Sequence, residues 1–234
     1  MNSLLTRSAL ALALGSAMLA PSAFAMDASL KTDKDKHSYM IGMTFGMQLK
    51  DFKDDVDVAL IQKAMADGLA GKTLMTEAEM QQVSNEFRTI VQKKREEARV
   101  KAAGENKAKG DEFLAKNKTA AGVKTTESGL QYSVIKEGSG AKPKATDQVK
   151  VHYVGTLING TKFDSSIDRG QPATFPLNGV IPGWTEGLQL MSVGSKYKFV
   201  IPGNLAYGEQ GQPQGGIGPN EVLIFEVELL EILN

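Results

Sequence analysis

The sequence has no cysteine, only two histidines and a single tryptophan. Without a thiol there is no disulfide, no cysteine nucleophile, no thiolate metal ligand and no N-terminal cysteine to carry a lipid. Stability has to come from ordinary packed cores. An excess of either charge is missing too, since 27 Lys and Arg balance 27 Asp and Glu. That balance argues against nucleic acid as a partner, because no basic surplus exists to neutralise phosphates. Long apolar runs are absent after the N-terminus. Proline is absent from Lys31 to Lys118, whereas seven of the eight prolines follow Gly122.

The N-terminus is different. Arg7 precedes a twelve-residue apolar run, Ala9 to Ala20, and Ala23-Phe24-Ala25 follows as an A-x-A cleavage pattern. The run is shorter than the roughly 20 residues of a spanning helix. Residues 1–25 therefore read as a secretory signal peptide, with the mature chain starting at Met26. Losing Arg7 leaves one acidic side chain in excess.

Composition divides the mature chain near residue 120. The first part is rich in helix formers; the second alternates like strands and is punctuated by glycine and proline. The spacing predicts a helix over Lys36 to Lys50 that is apolar around most of its circumference, with Tyr39, Met40, Ile41, Met43, Phe45, Met47 and Leu49. A second helix is expected over Val56 to Leu69. A third starts at Thr76, with Glu79 completing a capping box, and runs to the stop signals at Asn117 to Gly122. It would be roughly 50 Å long or more at about 1.5 Å per residue. Beyond Lys93 it loses its large apolar residues and reads as a solvated spacer, which Gly104 and Gly110 each weaken by about 1 kcal/mol. Six of the ten methionines lie between residues 40 and 80. A helix apolar on all sides needs more partners than one small half supplies. Residues 26–75 are therefore expected to be an all-helical dimerisation domain, residues 76–118 a long connecting helix and residues 119–234 a separate α+β domain. A methionine-lined groove for unfolded chains is a second reading of the same surface.

In the C-terminal part, strands are expected at Leu130 to Ile135, Val149 to Leu157, Thr161 to Asp164, Lys196 to Ile201 and Val222 to Leu229. Asn159-Gly160 predicts a type I′ hairpin turn. Trp184, Leu188 and Met191 fall at i, i+4 and i+7, one face of a short helix. The pattern describes a twisted antiparallel sheet wrapped on that helix.

Reactive chemistry is scarce. Ser165 and Ser166 show no base partner, since His152 faces away from Tyr153 on its strand and His37 lies in the other half; both histidines read as structural. Asp51 to Asp57 lacks the glycine and terminal glutamate of a calcium loop, and Gly211 to Gly218 lacks the Lys-Ser/Thr of a phosphate loop. No metal site is expected, and the glycine-rich stretch reads as a flap. What remains is Tyr153, Phe163, Phe175, Val180, Ile181, Trp184, Tyr207 and Phe225, with one carboxylate, Asp164. Such residues usually form core. Tyr207 differs, because it sits in a loop beside the flap, where side chains more often face a site.

These residues fall in motifs: Val151-His152-Tyr153-Val154-Gly155, Lys162-Phe163-Asp164-Ser165-Ser166, Val180-Ile181-Pro182-Gly183-Trp184, Ala206-Tyr207-Gly208 and Leu223 to Leu229. Their series and order resemble FKBP-type peptidyl-prolyl cis-trans isomerases. The helical half, long linker and signal peptide resemble the macrophage infectivity potentiator (Mip) group of bacterial FKBPs. The resemblance implies an antiparallel half-barrel sheet around one helix and an isomerase that assists folding of exported proteins without any cofactor. A dimeric chaperone with incidental isomerase activity is the alternative. The family resemblance implies substrate contacts from Tyr153, Phe163, Phe175, Val180, Ile181, Trp184 and Phe225, with Asp164 and Tyr207 as catalytic residues. Implied partners are proline-containing peptides, unfolded proteins, macrolides of the rapamycin type and a second copy of the chain. The implied location is the periplasm, with attachment to the outer membrane or cell surface left open, and the resemblance also implies relatives that act in virulence, a role left open for this chain. Two positions depart from the family pattern: Ala173 replaces a rim aromatic and Gln212 a flap histidine. Both bear on rim contacts rather than the pocket floor.

Overall fold

The structure, a computed structural model, describes residues 30–233. The signal peptide expected over residues 1–25 lies outside the described residues. The described chain divides into two compact units between Thr76 and Glu77.

The first unit is helical. Helix α1 (Asp33–Leu49) starts at a capping box in which Thr32 accepts from the Asp35 N–H and the Asp35 carboxylate accepts from the Thr32 N–H. Helix α2 (Val58–Leu69) starts at Asp57, whose carboxylate accepts from the N–H groups of Ala59 and Leu60. The last aspartate of the acidic stretch is therefore a helix cap. Among the described residues of this unit only Phe52 is buried, while Tyr39, Met40, Ile41, Met43, Phe45 and Met47 are 44–63% exposed. The described helices of the unit leave most of their apolar surface uncovered.

The second unit begins with helix α3 (Glu77–Lys118), 42 residues long. Seven strands follow: β1 (Lys124–Thr125), β2 (Gln131–Lys136), β3 (Gln148–Leu157), β4 (Lys162–Ser165), β5 (Ala173–Pro176), β6 (Lys196–Ile201) and β7 (Leu223–Leu233). All pair antiparallel in the order β1-β2-β6-β7-β3-β4, and β5 continues beside β3 where β4 has left it. Alternation along β3 buries Val149, Val151, Tyr153 and Leu157. Leu223, Phe225, Val227 and Leu229 do the same on β7, and Tyr197, Phe199 and Ile201 on β6. Helix α4 (Pro182–Leu190) lies on this face and buries Trp184 and Leu188, with Met191 at its C-cap. At Gly187 a side chain would stand 2.7 Å from the Phe199 ring, so helix and sheet meet that closely only because none is there.

Two local expectations are corrected. The β3–β4 hairpin is not a type I′ turn, because Asn159 does not have the positive φ that type requires. Gly160 N–H donates to Leu157 O, Leu157 N–H donates to Thr161 O, and Gly160 alone is left-handed at φ 84°. The loop thus spans three residues, with glycine where positive φ is needed. Nor is α3 solvated along its length beyond Lys93. Gln131, 4% exposed, donates to Leu114 O at 2.9 Å and accepts from the Asn117 amide at 2.7 Å. The helix is docked on the sheet by polar side chains.

Candidate active site

The inner face of the sheet and α4 leave a cavity of about 430 Å³. Strand β3 contributes Tyr153, β4 contributes Phe163 and Asp164, and β5 contributes Phe175. After β5 a 3₁₀ turn over Leu177–Gly179 carries the chain to Val180 and Ile181 at the start of α4. Pro182 fixes the first helical position, where its missing N–H costs nothing. Trp184 follows on the first turn. The long connection from β6 to β7 brings Tyr207, and β7 brings Phe225. All nine residues singled out in the sequence line this one cavity.

Trp184 is only 4% exposed, which places it at the cavity base. Tyr153, Phe175 and Phe225 meet its indole edge-on, at centroid separations of 5.1, 5.7 and 5.2 Å and angles of 88°, 89° and 78°. Phe163 packs edge-on against Phe225 at 5.4 Å. Edge-to-face pairs of this kind contribute about 0.5–1.5 kcal/mol each beyond area burial. Gly155 makes the Phe163–Phe225 contact possible, since a Cβ there would stand 2.7 Å from both rings. The wall is therefore rigid and aromatic.

One carboxylate faces this wall. The Tyr153 hydroxyl donates to Asp164 Oδ2 at 2.5 Å, Arg169 Nη1 bonds Asp164 Oδ1, and Arg169 Nη2 donates to the Tyr153 oxygen at 2.8 Å. The guanidinium also lies over the Tyr153 ring, 5.6 Å from its centroid. Burial pushes the Asp164 carboxyl up, but the bonds from Tyr153 and Arg169 outweigh it and hold the group below its ordinary range. Burial, aided by the hydrogen bond to Asp164, pushes the Tyr153 phenol up. Tyr207 is pushed up by burial and by the nearby Asp164 charge, although its side chain stays 40% exposed at the rim. Both Asp164 oxygens are engaged at neutral pH, so the carboxylate is a fixed charge rather than a free base.

Sequence reasoning missed four contributors. Arg169 closes the Asp164–Tyr153 network, and a lone cation five positions after the only pocket carboxylate was the available signal. Gly179, Gly215 and Ile217 complete the lining together with Gln212. The glycine-rich stretch is a hydrogen-bonded loop: Gln212 and Ile217 pair through both backbone bonds, and the Gln212 side chain accepts from Gly215 N–H. Ile217 is 4% exposed and pins the loop to the cavity. Ala173 lies next to this wall on β5, packed against the core.

Contrary to the expectation from strand alternation, Ser166 has a histidine partner. His152 does reach a serine: its Nδ1 is 3.0 Å from Ser166 Oγ. Ser166 is fully buried, accepts from Tyr153 N–H at 2.8 Å and lies outside the cavity lining. The pair braces the back of β3 and offers no accessible nucleophile.

Residues 139–230 match the family described as FKBP-type peptidyl-prolyl cis-trans isomerase, and residues 34–134 match the domain amino terminal to it. The chain is 51% identical over 212 residues to the FKBP-type peptidyl-prolyl cis-trans isomerase FkpA of Aeromonas hydrophila, covering 88% of this chain and 78% of that one. It is 46% identical over 230 residues to the outer membrane protein MIP of Legionella longbeachae, covering 98% and 97%. The crystal structure of FkpA from Escherichia coli superposes with a TM-score of 0.66 at 40% identity, over 87% of this chain and 98% of that one. With a half-barrel sheet wrapped on one helix, an aromatic cavity based on a single indole and relatives matched nearly end to end, the chain belongs to the FKBP-type peptidyl-prolyl cis-trans isomerases, in the Mip- and FkpA-like group that sets a helical segment before the isomerase domain.

Proposed function

We propose that this isomerase accelerates folding of exported proteins by twisting X-Pro amides in the cavity based on Trp184, with no covalent step. The observation that carries the reading is the pairing of an aromatic cavity with a carboxylate already saturated by Tyr153 and Arg169. Such a site has no free acid, base or nucleophile. An X-Pro bond isomerises unaided over tens to hundreds of seconds. Reaching about 10² turnovers per second requires lowering the barrier by about 5–6 kcal/mol. The planar amide separates more charge than the twisted one, so a dry aromatic wall disfavours the planar form relative to water. Trp184, Val180, Phe225 and Tyr153 hold the proline ring, and Phe163 and Phe175 close the wall around it. The Ile181 N–H and the Tyr207 hydroxyl donate to substrate carbonyls. Asp164 orients the rotating carbonyl through a fixed negative charge. Each hydrogen bond contributes about 1 kcal/mol net, so no single polar group dominates.

The test is a proline-peptide assay on the mature chain with a macrolide of the rapamycin type added. Trp184 fluorescence should change, and isomerisation should be inhibited, over the same macrolide concentrations. A macrolide that perturbs Trp184 while leaving the rate untouched would separate cavity from catalysis.

A second reading concerns the first unit, and the exposure of its methionines and aromatics favours it. Two copies bury these helices together as a homodimer, and what stays uncovered engages unfolded chains. A chain starting at Glu77 should match the whole protein on short peptides, run at monomer mass and fail to suppress aggregation of a denatured protein. Export to the periplasm accords with the A-x-A pattern before Met26 and with the outer membrane in the Legionella relative's name. N-terminal sequencing of the protein from fractionated cells should begin at Met26.

A further inference from the structure

The connection between β6 and β7, Pro202 to Val222, is long and carries Tyr207, Gln212, Gly215 and Ile217 to the cavity. It carries only three short 3₁₀ turns, Gly203–Leu205, Gly208–Gln210 and Pro213–Gly215, and a connection of this length needs something to hold it. Internal bonds do part of this: Asn220 N–H donates to Gly208 O at 2.8 Å, and Gln212 pairs with Ile217. The remaining holds come from α3. Arg99 Nη1 donates to Glu209 O at 2.8 Å, and Asn106 Nδ2 donates to Pro219 O at 2.9 Å. Asn220 Nδ2 reaches back to Ala103 O at 3.4 Å. Gly110 lies so near Val222 that a Cβ would stand 2.8 Å from its Cγ2.

Positions 99, 103, 106 and 110 are spaced four, three and four apart, a single stripe along one helix face. The stripe grips the loop at its middle, beside Tyr207, and again where it returns to β7. Arg99 is itself held on the helix by Glu96, at 2.7 and 2.9 Å. Its donor is therefore oriented before it meets the loop. The atoms that Arg99 and Asn106 grip are backbone carbonyls, so these two residues act on the path of the loop and not on one side chain.

We propose that Arg99 and Asn106 of α3 are positioning residues for the isomerase. They fix the rim loop so that Tyr207 and Ile217 meet the substrate in register. This rests on the reading of the cavity as the substrate site. The second half of α3 is then a working part of the isomerase domain, and the rim is set by a helix that supplies no atom to the cavity.

The test uses the full chain and the double variant Arg99→Ala/Asn106→Ala. Amide exchange read by mass spectrometry should speed up about tenfold in residues 207–218 while β3 and α4 keep their protection. KM for a proline peptide should rise about five-fold with little change in kcat, as expected when only rim contacts loosen. Arg99→Lys retains a donor and should restore much of both. Unchanged exchange in the loop overturns the proposal. Exchange that speeds up uniformly across the domain also overturns it, since the residues would then be merely structural. Faster loop exchange with unchanged KM, in a protein still inhibited through the macrolide site, overturns the positioning role. The same result in a protein whose activity ignores the macrolide overturns instead the reading of the cavity.

Discussion

Two glycines on one helix should respond to the same substitution with opposite signs. Gly104 and Gly110 both lie inside α3, and alanine at either gains about 1 kcal/mol in helix propensity. Around Gly104 nothing lies within 4 Å of an added Cβ, so Gly104→Ala should stabilise by about 0.5–1 kcal/mol. At Gly110 the added carbon would stand 2.8 Å from Val222 Cγ2, against roughly 3.5–4.0 Å for a relaxed carbon contact. Val222 is 2% exposed and β-branched, so it can neither swing into solvent nor rotate freely. Either its χ1 leaves a staggered well or the helix lifts from the loop, and overpacking of this sort costs about 1–3 kcal/mol. Gly110→Ala should therefore destabilise by about 1 kcal/mol, leaving a gap of about 2 kcal/mol between the variants. Urea unfolding followed by fluorescence reads the difference. The only tryptophan is Trp184 in the second unit, so the signal is not mixed with the first unit. Equal stabilisation by both substitutions would mean that α3 does not dock on Val222 and does not hold the end of the rim loop.

Other expectations concern the pocket and its charge network. Asp164→Ala should slow proline-peptide isomerisation about tenfold while far-UV circular dichroism stays native and Trp184 emission shifts little, because apolar packing and not the Asp164 pairing places α4 and most of the aromatic wall. The Asp164 pKa is held low in the folded state, so its pairing stabilises the fold above the unfolded carboxyl pKa of about 3.9 and is lost as pH falls through the folded value. The stability gap between wild type and Asp164→Asn, measured by urea midpoints, should accordingly be full at pH 6 and shrink on acidification below about pH 4. Its size should be modest, because the side chain is 40% exposed and solvent screens the pair. Gly155→Ala places a methyl 2.7 Å from the Phe163 and Phe225 rings, so it should weaken macrolide binding and lower the urea midpoint together.

How much of this could be read in advance depended on what each contact is made of. The alternation of Val149, Val151, Tyr153 and Leu157 and the i, i+4, i+7 spacing of Trp184, Leu188 and Met191 place those side chains inside before any fold is known. Burial of apolar surface is the largest driving force, and it leaves a period in the sequence. For the same reason the motif series around Trp184 pointed to one cavity. The Arg99, Ala103, Asn106 and Gly110 stripe left no such trace, because its members are polar or small and each of its three hydrogen bonds ends on a backbone carbonyl, two in the loop and one at Ala103. Backbone carbonyls are the same in every residue, so such docking has no compositional signature, and α3 read as solvated. Arg169 escaped notice likewise, since only the folded β4 and the turn after it bring the guanidinium to Asp164 and Tyr153.

By itself, then, the sequence determined the helical and α+β halves, the antiparallel strands with their buried faces, and the aromatic set that gathers over Trp184. These follow from local periodicity and residue type. Tertiary structure alone decided that Asp164 is a saturated charge, that Ser166 is a brace for His152 and not a nucleophile, and that a polar helix face holds the rim of the pocket. Those are facts about which polar groups meet across long separations in the chain. A hydrogen bond is short and directional, so only the folded geometry can choose its partner.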